Sequence, residues 1–145
     1  MSPLSGVVME AALVKMLRAL LAGDFEAVDA YVYEVEWEAG TGLLNAAFWL
    51  AVNRRFNATS SLRAIQVYVA EAHHEYANLD TPTAELLIRA ARGEEHLIDG
   101  LEPESALPVE MVLLHKLVAD ERPTEQQYEA FISESIRLAE QNLAG

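Results

Sequence analysis

The stretch of this 145-residue chain that comes nearest to a metal site is Glu71-Ala72-His73-His74-Glu75. On a helix, a Glu and a His three residues apart share one side, and a Glu-x-x-His element of this kind supplies part of the ligand set in di-iron carboxylate bundles. Those bundles need a second copy of the element and a Glu from each of two further helices, and only one copy is present here. The histidines, at 73, 74, 96 and 115, never stand four apart, so the two-imidazole zinc pattern is missing as well. Glu71, His74 and Glu75 are therefore secondary metal candidates. A metal-dependent hydrolase with a carboxylate and histidine site is the alternative they support, and the first expectation is a chain with no cofactor.

Carboxylates crowd at Glu34, Glu36 and Glu38 and again at Glu94, Glu95, Asp99, Glu102 and Glu104. Helical nucleotide pyrophosphohydrolases hold magnesium with carboxylates from facing helices, paired as Glu-x-x-Glu beside an apolar stripe. That pairing is not reproduced, and solvated surface explains both crowds. Ser60, Ser61, Ser105, Ser133 and Ser135 lack the strained Gly-x-Ser-x-Gly turn of a nucleophile, and there is no Gly-rich phosphate loop. With no cysteine, thiolate nucleophiles, thiolate metal sites and disulfides are excluded.

Two clusters suit binding better than catalysis. Arg54 and Arg55, with Arg63 one connector later, form the one basic feature and are candidates for an anion or an acidic partner. Cations at a helix C-terminus also offset its dipole, which accounts for the first two without a ligand. Tyr31, Tyr33 and Trp37 gather beside Val35, and aromatic residues are enriched where interfaces concentrate binding energy. Glu36 and Glu38 flank Trp37, so the chain there is partly in water. A large indole in such a place either folds back or meets a partner, and Trp37, with Tyr33 and Tyr31, is the candidate interface.

The totals agree with binding to protein. Ten Lys and Arg against 23 Asp and Glu give a net charge of −13, which opposes a phosphate backbone over most of the surface and argues against nucleic acid. A hydrophobic fraction of 52% leaves more apolar side chains than one small core easily hides, and self-association is the expected outlet. The first apolar segment is interrupted by Glu10, Lys15 and Arg18, unlike a secretory signal, and no apolar run approaches the roughly 20 residues a bilayer span needs. A cytoplasmic protein with no membrane association is expected.

The elements that must position these residues are all helical. Thr41 to Phe56 has only Asn45 as a polar residue between Leu43 and Val52, so at 3.6 residues per turn it is apolar on nearly every side, the pattern of a helix surrounded by others. Before it, Val7 to Ala22 is an amphipathic helix closed by Gly23, with Asp24 capping a second helix that carries Phe25, Val28, Val32 and Val35 to about Glu36. Ala39-Gly40-Thr41-Gly42 reads as a loop. After the central helix, Leu62, Ile65, Val69, Ala72, Tyr76 and Leu79 alternate steps of three and four and predict a helix that faces another. Asp80-Thr81-Pro82 restarts the chain into a helix through Leu86, Leu87, Ala90 and Ala91 to Gly93. A short turn of helix covers Glu94 to Asp99, and Leu101 to Leu107 reads as the longest loop. Pro108 opens a helix that Arg122-Pro123 ends, and the Thr124-Glu125-Gln126-Gln127 capping box starts the last one, buried through Tyr128, Phe131, Ile132, Ile136, Ala139 and Leu143. The expectation is an all-α, irregular single-domain bundle of about six helices plus one short helix, with a central buried helix near 41–56. It is expected to act as a non-enzymatic protein-interaction or scaffold module and to form a homodimer.

Overall fold

The computed structural model describes residues 11–32, 35–57 and 59–144, with side chains through Asn142. Among them are seven α-helices, one 3-10 helix and no strand: α1 (Ala11–Leu21), α2 (Phe25–Val32), α3 (Trp37–Arg55), α4 (Leu62–Glu75), α5 (Thr81–Ala91), a 3-10 turn (Glu95–Ile98), α6 (Pro103–Glu121) and α7 (Glu125–Ala144). The all-α expectation holds: each of the seven α-helices falls on a segment that the sequence marks, one more than the overall tally of about six. No helix among the described residues is long and apolar enough to cross a membrane. The chain divides into two compact units, residues 1–47 with 118–145 and residues 48–117, and α3 and α6 each run from one into the other.

In the first unit, α1 buries Leu13, Met16, Leu17, Leu20 and Leu21 and packs on α2 and α7. Gly23 turns the chain at φ 82°, where an L side chain is strained, and the Asp24 carboxylate accepts from the Ala27 amide at 3.1 Å to cap α2. The first two helices thus end and begin at the residues that the sequence marks. Helix α2 spans Phe25–Val32, and Val35 lies in a bend, so the helix does not reach the expected Glu36. The expected loop at Ala39–Gly42 is instead the first turns of α3. A Cβ at Gly40 would stand 3.2 Å from Val35 Cγ2 and, at ordinary contact distance, 3.7 Å from Met16 Cε, so the bare backbone makes room for the Val35 side chain. Tertiary packing outweighs the helix propensity of about 1 kcal/mol that a glycine forfeits. Thr41 Oγ1 also donates to the Trp37 carbonyl at 2.9 Å within that turn. On α7, Thr124 and Gln127 form the reciprocal capping box, at 3.1 and 2.9 Å. Its buried Ser135 hydroxyl is satisfied by the Phe131 carbonyl at 2.9 Å. Arg18 on α1 forks onto Glu129 of α7 at 2.6 and 2.7 Å, an exposed pair that adds orientation more than stability.

In the second unit, α3 contributes Phe48, Ala51 and Val52, followed by Phe56; α4 contributes Ile65, Tyr68, Val69 and Ala72; α5 contributes Ala84, Leu87, Ile88 and Ala90; α6 contributes Val109, Leu113, Leu114 and Leu117. The stripe expected along α4 is correct at Ile65, Val69 and Ala72 but not at Leu62, which is 46% exposed, whereas Tyr68 is 1% exposed. Helix α4 ends at Glu75, with Tyr76 leaving helical geometry, and Leu79 reaches the core through a turn that its amide closes on the Tyr76 carbonyl at 2.9 Å. Asp80 caps α5 through the Thr83 amide at 3.2 Å, with Pro82 in the first turn. The expected loop 101–107 is largely helix, because α6 begins at Pro103, five residues before Pro108. Pro103 sits at the first helical position, where no amide is needed. Pro108 has no amide to bond the Glu104 carbonyl, yet the helix continues through this exposed turn. Arg122 then adopts φ 47° and its amide closes on the Ala119 carbonyl at 3.1 Å, ending α6 just before Pro123.

Candidate functional site

Glu71, His74 and Glu75 do share one side of α4, and all three are exposed. The Glu75 carboxylate is taken by Lys116 of α6, Nζ to Oε2 at 2.6 Å. Among the described residues no group of three or more histidine or acidic side chains gathers in a metal-holding arrangement. The cluster that Glu75 joins is of another kind. Lys116 is 6% exposed, and its ammonium lies 5.3 Å from the centre of the Tyr68 ring. The Arg55 guanidinium lies 5.1 Å from the same ring and 5.5 Å from Phe56, which meets Tyr68 edge to face at 5.6 Å. Arg55 is thereby turned toward an aromatic pair by the attraction of a cation for a ring face. The two cations and two rings form a structural clamp joining the end of α3, the middle of α4 and α6.

The basic residues that line a concavity are others. A cleft of about 230 Å³ in the second unit is lined by Asn57, Ser60, Leu62, Ile65, Arg89, Arg92 and Glu94. Arg63 does not line it, and neither do Arg54 or Arg55. The connector from α3 to α4 is held by its own bonds: Asn57 Oδ1 accepts from the Thr59 amide and hydroxyl at 2.8 and 2.6 Å, and Ser60 Oγ accepts from the Asn57 amide at 3.0 Å. Ser61 caps α4 by accepting from the Ala64 amide at 3.1 Å. From the end of α5, Arg89 is fixed by Glu94 at 2.7 Å and by Glu85 at 3.2 Å, and these contacts raise its pKa, the hydrogen bond to Glu94 foremost. Arg92 donates to the Asn53 side-chain carbonyl, and the Asn53 amide in turn donates to the Trp49 and Ala91 carbonyls at 2.9 and 3.1 Å. Asn53 thus ties α3 to the end of α5 and aims Arg92. Arg89 and Arg92 were not singled out from sequence, although two cations three apart in the last turn of a helix, with Glu85 and Glu94 in reach of the first, are a readable pattern.

The aromatic cluster is divided. Tyr31 on α2 and Val35 are half-buried, and Tyr33 lies outside the described residues. Trp37 opens α3 with 53% of its surface exposed, between exposed Glu36 and Glu38. Among the described residues the other exposed large apolar side chains are Trp49 at 49%, Leu62 at 46%, Val67 at 48% and Ile98 at 38%. Central helix α3 is therefore not enclosed all round: Glu38, Asn45 and Trp49, seven and four residues apart, form a solvent edge. Comparison with protein-family models, curated proteins and solved structures finds no match to this chain.

Proposed function

We propose that this chain is a non-enzymatic protein-interaction module that anchors a partner through Trp37. The observation that supports this is the 53% exposure of the Trp37 indole at the start of α3, between two exposed glutamates. Leaving an indole in water forgoes about 1.5–3 kcal/mol of burial energy that a partner pocket recovers, and tryptophan heads the residues whose truncation costs interfaces most. Charge complementarity selects the partner. An apolar slot rimmed by Lys or Arg matches Glu36-Trp37-Glu38, whereas a second copy of this surface would bring four carboxylates together. The homodimer is thus the second occupant of the same surface.

Placing a photo-crosslinking benzoylphenylalanine at position 37 in cells tests this. The expected result is one dominant adduct whose crosslinked peptide carries basic residues beside apolar ones, lost when Glu36 and Glu38 are both changed to Lys. An adduct of the chain with itself would establish the homodimer instead, and no adduct would remove Trp37 as an anchor. In parallel, Trp37→Ala is expected to weaken partner binding by about 2 kcal/mol or more, roughly thirtyfold, while moving the denaturation midpoint little.

A further inference from the structure

We infer that the cleft between the α3–α4 connector and the end of α5 binds a small monocarboxylate with an apolar body. The charge balance inside the cleft carries this. Arg89 is neutralised by Glu85 and Glu94, but Arg92 meets only the uncharged Asn53 carbonyl, and among the described residues no carboxylate pairs with it. In a chain of net charge −13, where carboxylates outnumber cations more than two to one, a guanidinium aimed by a neutral side chain keeps its fork for an outside anion. Its place near the C-terminus of α5 favours a cation, but dipole compensation does not require that the side chain be held by Asn53, whose amide also bridges two helices.

The rest of the lining selects the kind of anion. The Asn57 amide group and the Ser60 hydroxyl are neutral donors suited to a carboxylate's second oxygen, and Leu62 and Ile65 form an apolar wall for a hydrocarbon body. Leu62 is 46% exposed, so a ligand lying there covers apolar surface that the fold leaves wet. A phosphate, with nearly two charges and no apolar part, would face Glu94 with a single free cation opposite and leave that wall uncovered. The volume of about 230 Å³ suits a body of a few carbons rather than a large cofactor.

The test is a titration of the full chain with isocaproate, followed through backbone amide resonances, with isocaproamide and inorganic phosphate as separate arms. Saturable shifts at Ser60, Leu62 and Arg92 with the acid, and none with the amide at equal concentration, are the expected result. Arg92→Gln should weaken binding about 10- to 100-fold and Arg92→Lys should restore part of it. Leu62→Ser, at a solvent-exposed position that leaves the core untouched, should weaken it about fivefold and keeps the test alive if the arginine variants do not fold. Equal shifts with isocaproamide, undiminished binding by Arg92→Gln, or no saturable shift with the acid would each overturn the carboxylate site. Phosphate competing as strongly as isocaproate, or Leu62→Ser binding as tightly as the parent, would overturn the apolar body.

Discussion

Glu110→Gln should stabilise this protein at alkaline pH and leave it unchanged at acid pH. Glu110 lies on α6 with 8% of its surface exposed, and burial pushes its carboxyl from the ordinary 4.5 up to about 7. Between those two values the folded chain holds a proton that the unfolded chain has released. Stability is therefore greatest below the unfolded pKa and falls as pH rises through the folded one. A gap from 4.5 to about 7, at about 1.4 kcal/mol for each tenfold change in proton affinity, amounts to about 3 kcal/mol lost by neutral to alkaline pH. That is a large share of a typical total of about 5–15 kcal/mol. Glutamine has the shape of the protonated carboxyl and no charge to desolvate, so the variant should escape the loss. The assay is urea denaturation of both proteins at about pH 5 and about pH 8, read as the difference between them. Taking the difference removes groups common to both, including Glu129, whose carboxyl is held below its usual range by the hydrogen bond from Arg18 and which acts in the opposite sense on acidification. The expected difference is just under about 1 kcal/mol at the lower pH, which lies slightly above the unfolded pKa, and about 3 kcal/mol in favour of the glutamine variant at the higher. Parallel stability curves across the whole range would refute the reasoning, since they would mean that Glu110 ionises alike in the folded and unfolded chain.

Phe48→Ala should cost about 3–5 kcal/mol, because the ring is 4% exposed and its removal leaves a cavity; a denaturation midpoint unchanged from the parent would contradict this. Gly42→Ala should stabilise by about 0.5–1 kcal/mol, since Gly42 lies inside α3 and a methyl group added to it would meet nothing within 4 Å, and thermal melting will show the gain. Lys116→Met should change stability by less than about 1.5 kcal/mol, as it removes an ammonium that is 6% exposed and keeps the hydrocarbon stem, whereas Glu75→Gln, which takes the Glu75 carboxylate away from a buried ammonium, should be the more destabilising of the two in the same urea titration.

Local chemistry wrote much of this fold into the chain. Asp24, Asp80 and the Thr124–Gln127 pair cap helices with their own side chains, and Gly23 and Arg122-Pro123 end them, because a cap needs only a few neighbouring residues and a backbone angle. The apolar spacing of α1, α4 and α7 likewise marks their buried sides at Leu17, Val69 and Phe131. Tertiary structure decided what depends on neighbours distant in the chain. Gly40 lies within a helix with Val35 packed where a side chain would begin, and Pro108 is accommodated inside α6, neither of which a local pattern contains. Lys116 and Glu110 carry charges of a kind that ordinarily faces water and yet are buried, the first over Tyr68 and against Glu75. The cleft is the clearest case. Asn53, Asn57, Leu62 and Arg92 come from separate segments, up to 39 residues apart, and only the packing of α5 against α4 and the bond from Arg92 to Asn53 bring a free cation to an apolar wall.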